Sequence, residues 1–241
     1  MLAADTIGRF SRTQVLVGDA GVERLRKARV AVIGLGGVGG YAVEALARAG
    51  IGYLFLVDAD AIEISNMNRQ ILALDDTLGM LKVDAARRRI LKINPEAHVE
   101  TSHDFLAPEN IEAVLPADLG YAIDAIDSVP SKVHLIAALH RRGIPFVSCM
   151  GAGNRLLPTG VKVADIRKTR NCPLARVVRQ QLRKHGISTG VRCVYSEENP
   201  RPAPTRSQNR GQQRRVVGTL AHVPGIVGLM AAGLILNDIL N

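Results

Sequence analysis

A glycine-rich turn between two apolar runs of different period constrains this chain more than any other feature. Residues 29–34 read R-V-A-V-I-G, a short β-branched run closing on glycine, and residues 38–49 are rich in Ala and Leu. The first run reads as a strand and the second as a helix. Gly34, Gly36 and Gly39 between them spell G-x-G-x-x-G, with Gly37 inside the motif. Glycines at this spacing let the backbone turn sharply and approach a phosphate, whose charge the helix N-terminus favours. Nineteen residues past Gly39 stands Asp58, directly after a second apolar run at residues 53–57. A carboxylate at that strand end can accept hydrogen bonds from ribose hydroxyls. NAD, FAD and ATP all bind in this way, so the turn by itself leaves the ligand open.

Apolar and amphipathic runs continue to alternate beyond this unit. Strands are expected near residues 99–101, 121–123 and 145–148, and helices over 82–93, 108–115 and 131–142, the first of these stopped by Asn94 and Pro95. Aromatic residues make up 3% of the chain and Trp is absent, so the core must be built from Val, Ile, Leu and Ala. That is the usual filling of a parallel sheet covered by helices. The expected class is α/β, a Rossmann-type doubly wound, mostly parallel sheet with a C-terminal sheet extension and a terminal helix. Residues 1–150 read as a nucleotide-binding core. Residues 151–241 read as an extension of the same domain, with strands at 161–166 and 192–195, a basic helix at 174–185 and a mobile, Arg- and Pro-rich loop at 196–215.

Charge and cysteine usage narrow the setting. Residues 162–215 hold fourteen Lys or Arg against Asp165, Glu197 and Glu198, which is +11, while the rest of the chain sums to −2. A polyanionic partner fits this surplus. The three cysteines, Cys149, Cys172 and Cys193, form no C-x-x-C pair, so neither a disulfide framework nor a zinc knuckle is indicated. The first twelve residues carry Asp5, Arg9 and Arg12 and no apolar run of signal-peptide length, and a cytoplasmic protein is expected. Residues 216–237 lack any formal charge and are long enough to span a bilayer. His222, Pro224 and four glycines interrupt them, which favours a buried C-terminal helix over a membrane segment.

Residues downstream of Asp58 separate the candidate ligands. Asn66, Arg69 and Gln70 fall in S-N-M-N-R-Q, and Lys82 follows thirteen residues after Arg69. Hydride transfer has no need of these cations, whereas attack on the α-phosphate of ATP gathers charge on departing pyrophosphate that Arg, Lys and a divalent ion must meet. Asp127, in D-A-I-D-S, follows the apolar run at 121–123 and is placed on the carboxyl edge of the sheet, where it can ligate Mg²⁺. Asp127 or Ser128 can also start the helix that follows, a role compatible with metal binding.

At these residues the chain resembles the ThiF/MoeB superfamily of adenylating enzymes. The match includes R-F-S-R at residues 9–12, G-L-G-G-V-G at 34–39, V-D-A-D at 57–60, S-N-M-N-R-Q at 65–70, Lys82, and D-A-I-D-S at 124–128. The resemblance implies an ATP site in which Asp58 holds the ribose and Asn66, Arg69 and Lys82 contact the phosphates, with Asp60 and Gln70 inside matched motifs. It further implies that Asp127 binds Mg²⁺ and that Arg12 reaches into the partner's site of a homodimer. Members that activate sulfur-carrier proteins usually carry two C-x-x-C pairs, and this chain has none. The zinc-free core, basic second half, R-C-V-Y-S-E-E at 192–198 and C-terminal P-G-I-V-G look like the branch that dehydrates threonylcarbamoyladenosine in tRNA. That branch implies tRNA as substrate, adenylation of a carboxylate and ring closure by a tethered group, which needs no protein nucleophile. Adenylation of a ubiquitin-like sulfur carrier, a nicotinamide or flavin oxidoreductase, and a non-catalytic nucleic-acid or membrane module are the alternatives. A sulfur-transfer protein is a further partner to consider, with Cys193 as its acceptor or, more ordinarily, a small core residue.

Overall fold

The computed structural model describes residues 8–202, 205–207, 213–215 and 217–241. A seven-stranded sheet forms its centre, in the order β3-β2-β1-β4-β5-β7-β6. The strands are β1 (Arg29–Ile33), β2 (Tyr53–Val57), β3 (His98–Ser102), β4 (Tyr121–Asp124), β5 (Phe146–Cys149), β6 (Val161–Asp165) and β7 (Arg192–Ser196). All neighbours run parallel except β6, which pairs antiparallel with β7 at the edge. Strand order reverses between β1 and β4, each the parallel partner of the other, which opens a crevice at their carboxyl ends.

Alternate side chains of the strands feed two separate cores, as a period of two requires. Val30, Val32, Leu54 and Leu56 pack with α2 (Gly39–Ala49), α3 (Lys82–Ile93) and α7 (His222–Leu240). Ala31, Ile33, Phe55 and Val57 face the other way, toward α4 (Ile111–Val114), α5 (Val129–Arg141) and α6 (Pro173–Lys184). Burying both faces explains why β2 is apolar throughout.

The helix α3 ends as expected, with the Asn94 N–H closing on the Ile90 carbonyl and the Asn94 side chain donating to the Ile51 carbonyl. Three expectations need correction. Helix α4 is a single turn, because Asn110 diverts the preceding backbone into a side-chain-closed turn, accepting from the Ala107 N–H and donating to the Phe105 carbonyl. A helix that the sequence pattern did not announce, α1 (Ser11–Lys27), precedes β1; it buries only Gly21 and Leu25, so it carries no apolar stripe. Within 196–215 the chain is not structureless: β8 (Thr205–Ser207) and β9 (Gln213–Arg215) pair antiparallel, while residues 203–204, 208–212 and 216 lie outside the described residues.

Helix α7 is long and apolar enough to cross a membrane by length and composition, and half of it is buried inside the fold. Val223, Val227, Ala231 and Ile235, spaced by four, are all fully buried. It lies so close to α2 that a side chain at Gly228 would stand 2.2 Å from the Val38 carbonyl oxygen. Arg192 of β7 pairs with Asp238 and fixes the far end.

Candidate active site

A cavity of about 560 Å³ occupies the crevice at the carboxyl ends of β1, β2, β4 and β5. Gly34, Gly36, Gly37, Asp58, Asp60, Asn66, Arg69, Gln70, Lys82 and Asp127 all line it. Gly39 does not; it lies beneath the turn, where an added Cβ would fall 1.7 Å from the Gly34 carbonyl oxygen. No side chain fits there, so the turn can close only over glycine. Arg12 also lies elsewhere, exposed on α1.

Asp58 braces the glycine turn before any ligand arrives. Its Oδ2 accepts the Leu35 N–H at 2.6 Å and its Oδ1 accepts the Asp60 N–H at 2.9 Å. Each carboxylate oxygen retains a free lone pair for a ribose hydroxyl. Lys82 is 5% exposed, with its Nζ 2.5 Å from Asp60 Oδ2 and 3.6 Å from Asp58 Oδ1. A buried cation must be paired, and these carboxylates meet that need. Asp60 is 72% exposed at its side chain, so water screens its hold on the ammonium and an incoming phosphate can compete for it.

The turn that follows β2 carries the remaining polar groups. The Asn66 Oδ1 accepts the Glu63 N–H at 3.1 Å, and Arg69 Nη1 donates to the Ser65 carbonyl at 2.7 Å and to Asn68 Oδ1 at 3.0 Å. Gln70 is buried, yet among the described residues its Oε1 has no hydrogen-bond partner. A buried orphan acceptor in a cavity wall is costly unless a ligand or water satisfies it.

On the opposite wall the strand ends within one residue of the expected run at 121–123. Asp124, not Asp127, terminates β4, and it is fully buried. Its carboxylate accepts from Lys132 Nζ at 2.9 Å and from Ser148 Oγ at 2.6 Å, and Lys132 Nζ also donates to the Ile126 carbonyl at 2.9 Å. This closed network fixes residues 125–128 and leaves Asp127 exposed on the cavity wall. Asp127 does not cap α5; Ser128 occupies the N-cap position, without a side-chain capping bond.

Sequence reasoning missed the rest of the lining. Phe105 and Leu106 follow β3, Cys149 ends β5 and Met150–Gly153 follow it, Leu174 comes from α6, Val217 and Thr219 from the segment before α7, and Pro224 from α7 itself. Only D-A-I-D-S signalled this side of the cavity. Cys193 is a core residue with no exposed surface, and burial pushes its thiol far above the usual range. Cys149, also buried, is pushed up to about 12 by the same desolvation. Neither offers a thiolate nucleophile near neutral pH.

The model of the ThiF family matches residues 10–241, nearly the entire chain. This chain belongs to the ThiF family. Among ThiF-related proteins, the tRNA threonylcarbamoyladenosine dehydratase of Bacillus subtilis is 41% identical over 96% of this chain and 94% of its own length. The crystal structure of the Escherichia coli tRNA N6-threonylcarbamoyladenosine dehydratase, TcdA, in complex with ATP superposes with a TM-score of 0.88 at 36% identity, covering 99% of this chain and 96% of that one. The AMP complex of the same enzyme gives the same TM-score and coverage.

Proposed function

We infer that this ThiF-family chain is an ATP-dependent tRNA threonylcarbamoyladenosine dehydratase. The observation that carries this reading is the gathering of Asp58, Asn66, Arg69, Gln70, Lys82 and Asp127 in one cavity, within a fold matched over its length by an ATP-bound dehydratase. ATP lies across the glycine turn, its ribose on Asp58 and its phosphates toward the N-terminus of α2, Arg69 and Lys82. The carboxylate of the threonylcarbamoyl group attacks the α-phosphate and pyrophosphate departs. The neighbouring carbamoyl group then attacks the activated carbonyl, closes the ring and releases AMP, so that one water is lost from the nucleoside. The second nucleophile is tethered to the first, which gives it a high effective molarity and removes any need for a protein thiol.

Arg69 and Lys82 offset the repulsion between the two anionic reactants and neutralise the charge that gathers on pyrophosphate. Mg²⁺ fits this site. Among the described residues no group of three acidic, His or Cys side chains gathers. Magnesium is ordinarily held by one or two carboxylates together with substrate phosphates, and exposed Asp127 supplies one. Bound there, the ion supplies charge neutralisation at the phosphates.

The wall made by residues 149–153, Leu174, Val217 and Thr219 is the side on which the nucleoside enters. Lys162, Arg167, Lys168, Arg170, Arg176, Arg183 and Lys184 are exposed on the same half of the chain and suit tRNA phosphates. ATP and tRNA as substrates support a cytoplasmic location. The burial of Cys193 removes it as an acceptor for a sulfur-transfer partner. The sulfur-carrier reading shares the ATP site but finds no support in the second half of the chain.

Mass spectrometry of nucleosides from modified tRNA incubated with the protein and ATP tests the activity. The expected product is lighter than threonylcarbamoyladenosine by one water, with equal amounts of AMP and pyrophosphate formed. AMP formation that requires a ubiquitin-like protein instead of tRNA would refute the assignment.

Binding of tRNA is expected to be electrostatic, with log affinity falling against log salt by about 0.9 per duplex phosphate neutralised. Arg201, Arg206, Arg210, Arg214 and Arg215 stand in one acid-free stretch of sequence, of which Arg210 lies outside the described residues. Changing all five to Ser should flatten the slope and raise the KM for tRNA while leaving the KM for ATP nearly unchanged. An unaltered slope would move the tRNA surface to α6.

A further inference from the structure

Asn154 and Asn171 are the non-glycine residues, among those described, whose backbone takes a positive φ. At Asn154 φ is 58°, a left-handed conformation that Asn and Asp tolerate better than other side chains do. A left-handed turn at a non-glycine residue persists because the contacts around it hold it. Here the main-chain N–H of Asn154 donates to the Gly218 carbonyl at 2.7 Å, and its Oδ1 accepts the Gly218 N–H at 2.8 Å. Its carbonyl accepts the Arg201 N–H at 2.8 Å.

Residues 201 and 218 are the two roots of the arginine-rich segment. Arg206, Arg210, Arg214 and Arg215 stand between them, with no acid. One residue therefore ties both ends of a cationic stretch at a single point. That point is also the rim of the cavity, since Gly153 on one side and Val217 and Thr219 on the other line it. The turn is anchored in its own right. Buried Arg155 donates to the carbonyls of Gly153, Asn171 and Glu198, and the Glu198 carboxylate accepts the N–H groups of Leu156 and Leu157. A rigid mount thus joins the roots of the basic segment to the wall through which a nucleoside must enter.

We propose that Asn154 is a positioning residue for tRNA, clasping both roots of the arginine-rich segment to the mouth of the cavity so that the bound nucleic acid presents its modified base in register. This rests on the reading that the segment binds tRNA. Phosphate contacts set the orientation of a nucleic acid only relative to the element that carries them. If that element is not fixed to the cavity, the tRNA is still attracted by unchanged charge, but its reactive group is delivered out of place, and an error of about 1 Å is enough to slow a positioned reaction about 10²-fold.

Three variants test the clasp. Asn154→Gly keeps the left-handed turn and removes the Oδ1 acceptor, Asn154→Ala also penalises the turn, and Asn154→Asp keeps both the acceptor and the conformation. With modified tRNA and ATP, Asn154→Gly and Asn154→Ala are expected to lower kcat/KM for tRNA about tenfold or more. The KM for ATP and the salt slope of tRNA binding should stay at wild-type values, and Asn154→Asp should recover most of the loss. Wild-type kcat/KM in Asn154→Gly would overturn the proposal. So would an Asn154→Asp as impaired as Asn154→Gly, or a KM for ATP that rises in step with the tRNA defect. Failure of the underlying reading is seen separately, as a salt slope that does not change when the five arginines are replaced.

Discussion

Arg69→Ala and Lys82→Ala are each expected to slow tRNA-dependent AMP formation by about 10²–10³, the usual consequence of deleting one preorganised charge from a transition state. Fold stability should barely respond. Among the described residues, Arg69 is bonded only to neighbours in its own turn, the Ser65 carbonyl and Asn68. Lys82 leaves behind a mostly exposed Asp60 and an Asp58 whose oxygens are still satisfied by the Leu35 and Asp60 N–H groups. A loss of about 1 kcal/mol would move Tm by only about 2–4 °C in a chain of this size. Single-turnover AMP formation and a thermal melt on the same samples separate the two effects. Near wild-type AMP formation in either variant would remove the triphosphate from this turn. The Lys82 ion pair adds a sharper expectation: Asp60→Asn should be far milder than Lys82→Ala, because Asp60 holds the ammonium in the absence of substrate and competes with the phosphates for it.

Neither Arg12→Ala nor Asp127→Ala should be active alone, yet mixed subunits should regain about a quarter of wild-type activity. Half of a statistical mixture is heterodimer, and each heterodimer has one intact site of two. An arginine donated across an interface to a phosphoryl-transfer site is worth about 10³ or more, so recovery would stand far above background. The structure motivates this test through placement. Asp127 is on the cavity wall, whereas Arg12 is exposed on α1 and contributes nothing to the cavity of its own chain. Its neighbours Val15 and Leu16 are 69% and 84% exposed, an apolar surface that a second copy of the chain would cover. Activity that stays at background after verified subunit exchange would remove Arg12 from the partner's site.

How far each element could be read in advance follows from the range of the interactions that form it. Strand β2 and helix α3 fall where the pattern puts them, because an apolar run, a glycine turn and an Asn-Pro stop act over a few residues. Helix α1 leaves no pattern in the sequence because Val15 and Leu16 are exposed and only Gly21 and Leu25 are buried, so no stripe marks a core face. The strands β8 and β9 lie in Arg, Gln and Ser without apolar alternation, and β pairing of that kind leaves no local trace. Asp127 lies three residues beyond Asp124, which closes the apolar run at 121–123. What the local pattern does not reveal is the buried ion pair of Lys132 with Asp124, eight residues apart in sequence, whose lysine also holds the Ile126 carbonyl beside Asp127.

The sequence alone determined the α/β class, the glycine turn and the company of Asp58, Asn66, Arg69 and Lys82, because these lie on consecutive βα units whose spacing is itself the signal. For α7 the sequence favoured burial through His222, Pro224 and four glycines, and tertiary structure supplied what covers it: the close contact with α2 at Gly228 and the buried row Val223, Val227, Ala231 and Ile235. It also decided the second wall of the cavity. Residues 149–153, Leu174, Val217 and Thr219 come from segments tens of residues apart, and the Asn154 clasp joins positions 64 residues apart through hydrogen bonds that no local pattern encodes. Phosphate recognition is written in short motifs because one turn and one helix end suffice for it. The wall we propose for the second substrate is assembled from many elements, and therefore becomes visible only when the chain is folded.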